Sequence, residues 1–232
     1  MKKIIFLILL LPAIAFSQVK YEAQLAYFNI EIAPDVLLAS MPYHESPQAE
    51  EIKKKYNRPE LQKTFVEYNA FEAYVQEQYY EAIKEALKSR FGITISSMVN
   101  KRKATDSTAY GYPRVGNSDF KDNSGFYFVK LMVTVGTLEG GPDVPGQIQD
   151  KTTLSPTIQI SLVLFDKNGK KIKKATSKYQ SNHFVLGRTE DYILWDGKSR
   201  MRGFKADESV RYTFLSDLLK QGLGKLQESF YK

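Results

Sequence analysis

Two histidines, His44 and His183, stand far apart in a chain of 232 residues that contains no cysteine. Zinc in a structural site needs four nitrogen or sulfur ligands, so such a site is excluded, and any other metal would have to lean on carboxylates. Asp166-Lys167-Asn168-Gly169 opens like a calcium loop, but its glycine falls at the wrong offset and no acid follows in place. Nucleophilic catalysis would need a positioned base, and the chain offers neither G-x-S-x-G nor a usable S-x-x-K. A triad would have to run through His183 with Asp191 or Asp196, although a lone loop histidine is far more often a surface residue. Glu139 with Asp143, and Glu190 with Asp191, sit on polar stretches where solvated acids are expected, and phosphate-cradling glycine motifs are absent. No catalytic residue, metal ligand or cofactor site is assigned, and the chain is read as a non-enzyme. The competing reading is a periplasmic or secreted hydrolase with an unfamiliar active site.

Recognition chemistry is better represented. The stretch from Ser181 to Ala206 holds His183, Phe184, Arg188, Tyr192, Trp195, Arg200, Arg202 and Phe204, the mixture of aromatics and arginines enriched at interface hot spots. Trp195 is the single tryptophan. Trp195, Arg188, Tyr192, Arg200, Arg202 and His183 are therefore the partner-binding candidates. The bland alternative is that Ile193, Leu194 and Trp195 pack this stretch onto the sheet edge while its charges stay solvated. Lysines crowd a second stretch, at 170, 171, 173, 174 and 178, and Lys101-Arg102-Lys103 adds to them. Anionic glycolipid or peptidoglycan suits such a surface, whereas nucleic acid is not expected outside the cytoplasm.

Compartment follows from the amino terminus. Lys2 and Lys3 precede an apolar run from Ile4 to Phe16, too short to span a bilayer, and Ala15 and Ser17 fit an A-x-A-like cleavage site. Residues 1–17 are thus expected to be a signal peptide, the mature chain to start at Gln18, and the product to be periplasmic or secreted. Without cysteine there is no lipid attachment at that residue and no disulfide. Loss of Lys2 and Lys3 lowers the formal charge from +7 to +5, compatible with anionic envelope surfaces. Nothing else looks membrane-spanning, and residues 18–232 are long enough for a single domain with its own core.

The elements that must position these residues can be read from apolar periodicity. Val19 to Ile32 alternates as a strand, with Tyr21, Ala23 and Leu25 inward and then Phe28, Ile30 and Ile32, so a bulge is expected near Ala26. Ala33 to Arg58 reads mostly as loop, with a short helix after Ser46-Pro47. A long amphipathic helix runs from Pro59 onward and ends before Gly92, then come a strand from Ile93 to Val99 and a polar loop from Asn100 to Gly125. Phe126 to Val135 is a central strand, and Gly136 to Thr153 a loop. Thr157 to Asp166 is a further strand, joined through a two-residue type I′ turn at Asn168-Gly169 to an edge strand, Lys171 to Tyr179, whose lysines guard against pairing. Ser181 to Ala206 is expected to be irregular, and a helix from about Asp207 closes the chain.

This order predicts an α+β two-layer sandwich: a four- to five-stranded, mostly antiparallel sheet with the long helix and the carboxy-terminal helix on one face. Strand parity puts Gly136 to Thr153 and Ser181 to Ala206 together at one end of the sheet. Ala33 to Arg58, Asn100 to Gly125 and the Asn168-Gly169 turn fall at the other. The succession of signal peptide, strand, long helix, meander with the hairpin "SLVLFDKNGKKI" and terminal helix resembles small envelope α+β domains. Examples are the lipopolysaccharide-assembly outer-membrane lipoprotein and the amino-terminal domain of the Tol-system translocation protein. The resemblance implies a non-catalytic accessory module that docks onto an envelope protein complex or glycolipid, and it carries over no site residue.

Overall fold

The computed structural model describes residues 20–41, 47–56, 66–99, 112–113, 126–138, 151–181, 185–195, 200–205 and 213–232. The expected signal peptide, His44, His183 and most of Asn100 to Gly125 lie outside them. β1 (Tyr21–Ile32) buries Ala23 and Leu25 and then Phe28, Ile30 and Ile32. Its pairing with β3 (Tyr127–Leu138) shifts register between Leu25 and Tyr27, so Ala26 is the bulge that the change of phase requires. β2 (Ile93–Met98) runs parallel to β1 on the other side. Beyond β3 come β4 (Lys151–Phe165), β6 (Val185–Trp195) and β7 (Arg200–Lys205), with β5 (Lys171–Gln180) also on β4, which makes a seven-stranded sheet.

Between β1 and β2 the described residues form three helices, α1 (Pro34–Ser40), α2 (Pro47–Tyr56) and α3 (Val66–Phe91), and α4 (Thr213–Phe230) closes the α+β fold. α3 stops at Gly92, whose φ of 69° is left-handed and costs glycine little. The Gly92 carbonyl accepts from the Tyr21 N–H at 2.8 Å, tying the helix end to the start of β1. Val129, Leu131, Val133 and Val135 of β3 and Ile158, Ile160, Leu162 and Leu164 of β4 form one core with α3 and α4. Each such side chain contributes roughly 1.5–3 kcal/mol over leaving it in water. The opposite face carries a smaller cluster of Ala26, Val99, Phe128 and Phe165. Beyond that cluster, Met132 is 40 % exposed, so the helices cover one face.

The turn at Asn168-Gly169 is tight but is not the two-residue type I′ turn expected. Gly169 N–H donates to the Asp166 carbonyl at 3.0 Å and Asp166 N–H to Lys170 O at 2.8 Å, with Gly169 at φ 78°. That is a three-residue loop ending in a left-handed glycine bulge. The Asp166 carboxylate accepts from the backbone of Asn168 and Lys170 at 2.9 and 2.8 Å, which favours the longer loop. β5 pairs β4 alone, as expected of an edge strand.

Three further expectations are corrected. Pro34 opens a helix in the stretch read mainly as loop, since proline suits the first helical turn. Within Ser181 to Ala206, read as irregular, the described residues include two strands, β6 and β7. The end assignment changes as well, because β2 and β3 both run parallel to β1 and flank it. The chain therefore leaves β1, β2 and β3 at one end, so Ala33 and Gly136 share that end with Ser181, and the Asn168-Gly169 turn sits at the other.

Candidate functional site

A proline shapes the crowded end of the sheet. Pro156 lies within β4, and its carbonyl accepts from Ser181 N–H at 2.8 Å. In an antiparallel pair the return bond would come from the N–H of residue 156, which proline lacks. The buried Ser155 hydroxyl instead lies 3.4 Å from the Ser181 carbonyl as donor and accepts from the Gln180 amide at 3.0 Å. β5 ends here, and pairing along β4 resumes only at Leu154 opposite Val185. β5 and β6 thus pair β4 in succession, one on each side of Pro156.

Beyond that break, Lys151 to Leu154 pairs with Val185 to Arg188, so the two stretches expected to meet do meet. β6 runs on to pair β7, with Trp195 opposite Arg200 and Ile193 opposite Arg202. By strand alternation these four residues share one face of the β6–β7 ribbon. Arg188, opposite both Lys151 and Lys205, and Tyr192, opposite Gly203, fall on the other face. The candidate set is therefore divided: Trp195, Arg200 and Arg202 are brought together, Arg188 and Tyr192 are set apart, and His183 lies outside the described residues. α1 lies beside β7. The sequence signal for this ribbon is Asp196-Gly197, a hairpin dipeptide between two strand-length runs.

A second feature was missed altogether. Where α1, α2, α3 and α4 meet, a cavity of about 280 Å³ opens. Phe71, Val75 and Tyr79 from one stripe of α3, with Leu215 and Leu219 from α4, make its buried floor. Gln78, Ala82 and Ser216 are exposed at its rim. Phe71 and Tyr74 stack with ring centroids 6.1 Å apart. Tyr79 donates its hydroxyl to the Leu215 carbonyl at 2.7 Å, and burial pushes its pKa far up, so it stays a neutral phenol. No Asp, Glu, Lys, Arg or His is among the described residues that line the cavity.

Beside it, a polar cluster clamps α2 to α3. The Tyr56 hydroxyl donates to the Glu77 carboxylate, and Lys55 Nζ lies 3.3 Å from the same oxygen. The Tyr56 hydrogen bond, and then Lys55, hold the Glu77 pKa below the usual carboxylate value. Burial, with Glu77 second, pushes the Tyr56 hydroxyl up. Tyr56 meets Tyr74 edge to face at 5.8 Å, which connects this cluster to the cavity wall.

No protein-family model matches the chain, and no curated protein matches it in sequence. Among solved structures, a Helicobacter pylori protein assigned as a neuraminyllactose-binding hemagglutinin homolog is similar over 91 % of this chain and 83 % of its own, at 13 % identity and a TM-score of 0.35.

Proposed function

We propose that this chain is an exported, non-catalytic binding module that docks onto an envelope protein through the face of the β6–β7 ribbon carrying Trp195, Arg200 and Arg202. The register that sets Trp195 against Arg200 and Ile193 against Arg202 carries this reading. It gathers on one face residue types that supply large contact area and multiple donors. The charged, apolar and small-residue order of residues 1–17 supports export. No helix among the described residues is long and apolar enough to cross a membrane.

The test is capture from envelope extract by the wild-type protein and by the triple variant Trp195→Ala, Arg200→Ala, Arg202→Ala. The variant is expected to keep its melting temperature and to lose capture of a wild-type partner by well over tenfold, since central anchors typically cost ~2 kcal/mol or more each. A variant that melts several degrees lower yet captures normally once folded would mean that Trp195 only staples the ribbon down.

The other face favours a second reading, an anionic envelope glycolipid. Lys151, Arg188 and Lys205 stand abreast on three adjacent strands. Like charges directly opposite one another are unfavourable until an anion neutralises them. Binding to anionic vesicles that disappears in Arg188→Glu, with protein capture intact, would favour that reading.

A further inference from the structure

We infer that the cavity between the four helices is a binding site for a small uncharged molecule with an apolar ring and one or two hydrogen-bonding groups. This site lies in the helical layer and does not depend on the ribbon. Three observations set the ligand class. Size comes first: at about 30 Å³ per water-sized group, the 280 Å³ cavity holds a molecule of about ten non-hydrogen atoms. Shape comes next, because the Phe71, Tyr74 and Tyr79 rings line the space and flat apolar faces favour a flat apolar guest.

Charge is the third. The described lining is made of neutral side chains, against which an uncharged guest loses less hydration than a charged one would. The polar groups at hand are neutral: the amides of Gln48 and Gln78, the hydroxyls of Tyr74 and Ser216, and the Tyr79 oxygen, whose proton is already committed to Leu215. The Ser40 hydroxyl is likewise committed, donating to the Val36 carbonyl at 2.8 Å. An apolar floor with a few neutral polar groups toward the rim is the usual composition of a small-molecule pocket.

Nuclear magnetic resonance titration of the purified protein tests this, with indole and 4-methylphenol as probes and benzoate and benzylamine as charged counterparts of similar size. The neutral probes are expected to shift the side-chain amides of Gln48 and Gln78 and the backbone signals of Tyr74 and Ser216. The charged pair should bind at least tenfold more weakly. Ala82→Trp and Ser216→Phe, both placed at exposed rim positions, should fill the cavity, weaken neutral-probe binding at least tenfold and leave the melting temperature unchanged. The inference is overturned if the charged compounds bind as well as the neutral ones in the unmodified protein, a comparison that needs no variant. It is also overturned if the neutral probes shift none of these signals, or if the folded rim variants bind them normally.

Discussion

Tyr80 is 8 % exposed, its ring meeting Phe28 and Tyr112 at 5.2 and 5.1 Å, and burial, aided by Glu81, pushes its pKa up to about 12. Below pH 10 the phenol is neutral in both the folded and unfolded chain, so its contribution is fully present and does not vary with pH. Between 10 and 12 the unfolded chain gives up this proton while the folded chain keeps it, so stability falls as pH rises. Thermal melts across that window should show a steep decline that is shallower in Tyr80→Phe; identical slopes would place the titration elsewhere. Ser177, buried against the helices, has a hydroxyl with no partner among the described residues. Ser177→Ala removes that unpaired group, and denaturant unfolding should register a gain of about 1 kcal/mol. Neither effect can be read from residue type alone, because burial and partner are properties of the fold.

Helix α4 presents two glycines with opposite meanings. A Cβ on Gly222 would lie 2.9 Å from Ile158 Cγ2 and 3.1 Å from Ile160 Cδ1, so a side chain there would force those isoleucines or the helix to shift. Gly224 has nothing within 4 Å. Chemical denaturation should find Gly222→Leu destabilised by about 1–3 kcal/mol through overpacking. Gly224→Ala should be stabilised by up to about 1 kcal/mol through helix propensity. Equal responses would contradict this packing. Alternation made β1, β3 and β4 legible, down to the bulge at Ala26, and the lysines of β5 announced an edge. β6 escaped because its polar Thr189-Glu190-Asp191 run hides the alternation and its pairing with β4 starts only after the Pro156 break.

For the whole molecule, export is the reading to test first: intact mass of the secreted or periplasmic product should correspond to a chain starting at Gln18, and a product that retains residues 1–17 would refute cleavage. The residues by themselves determined the α+β class, the strands with clean period-two patterns and the arginine- and aromatic-rich stretch, because these follow from local periodicity and side-chain chemistry. Only the tertiary structure decided which end of the sheet each segment leaves from, since inserting β1 between β2 and β3 is a choice among long-range pairings that no local pattern encodes. The division of the candidate residues between two ribbon faces depended on the register of β6 on β7, a pairing between strands that residue type alone does not specify. The cavity, too, belonged to tertiary structure: its walls come from four helices between residues 40 and 219, and their convergence is a consequence of packing.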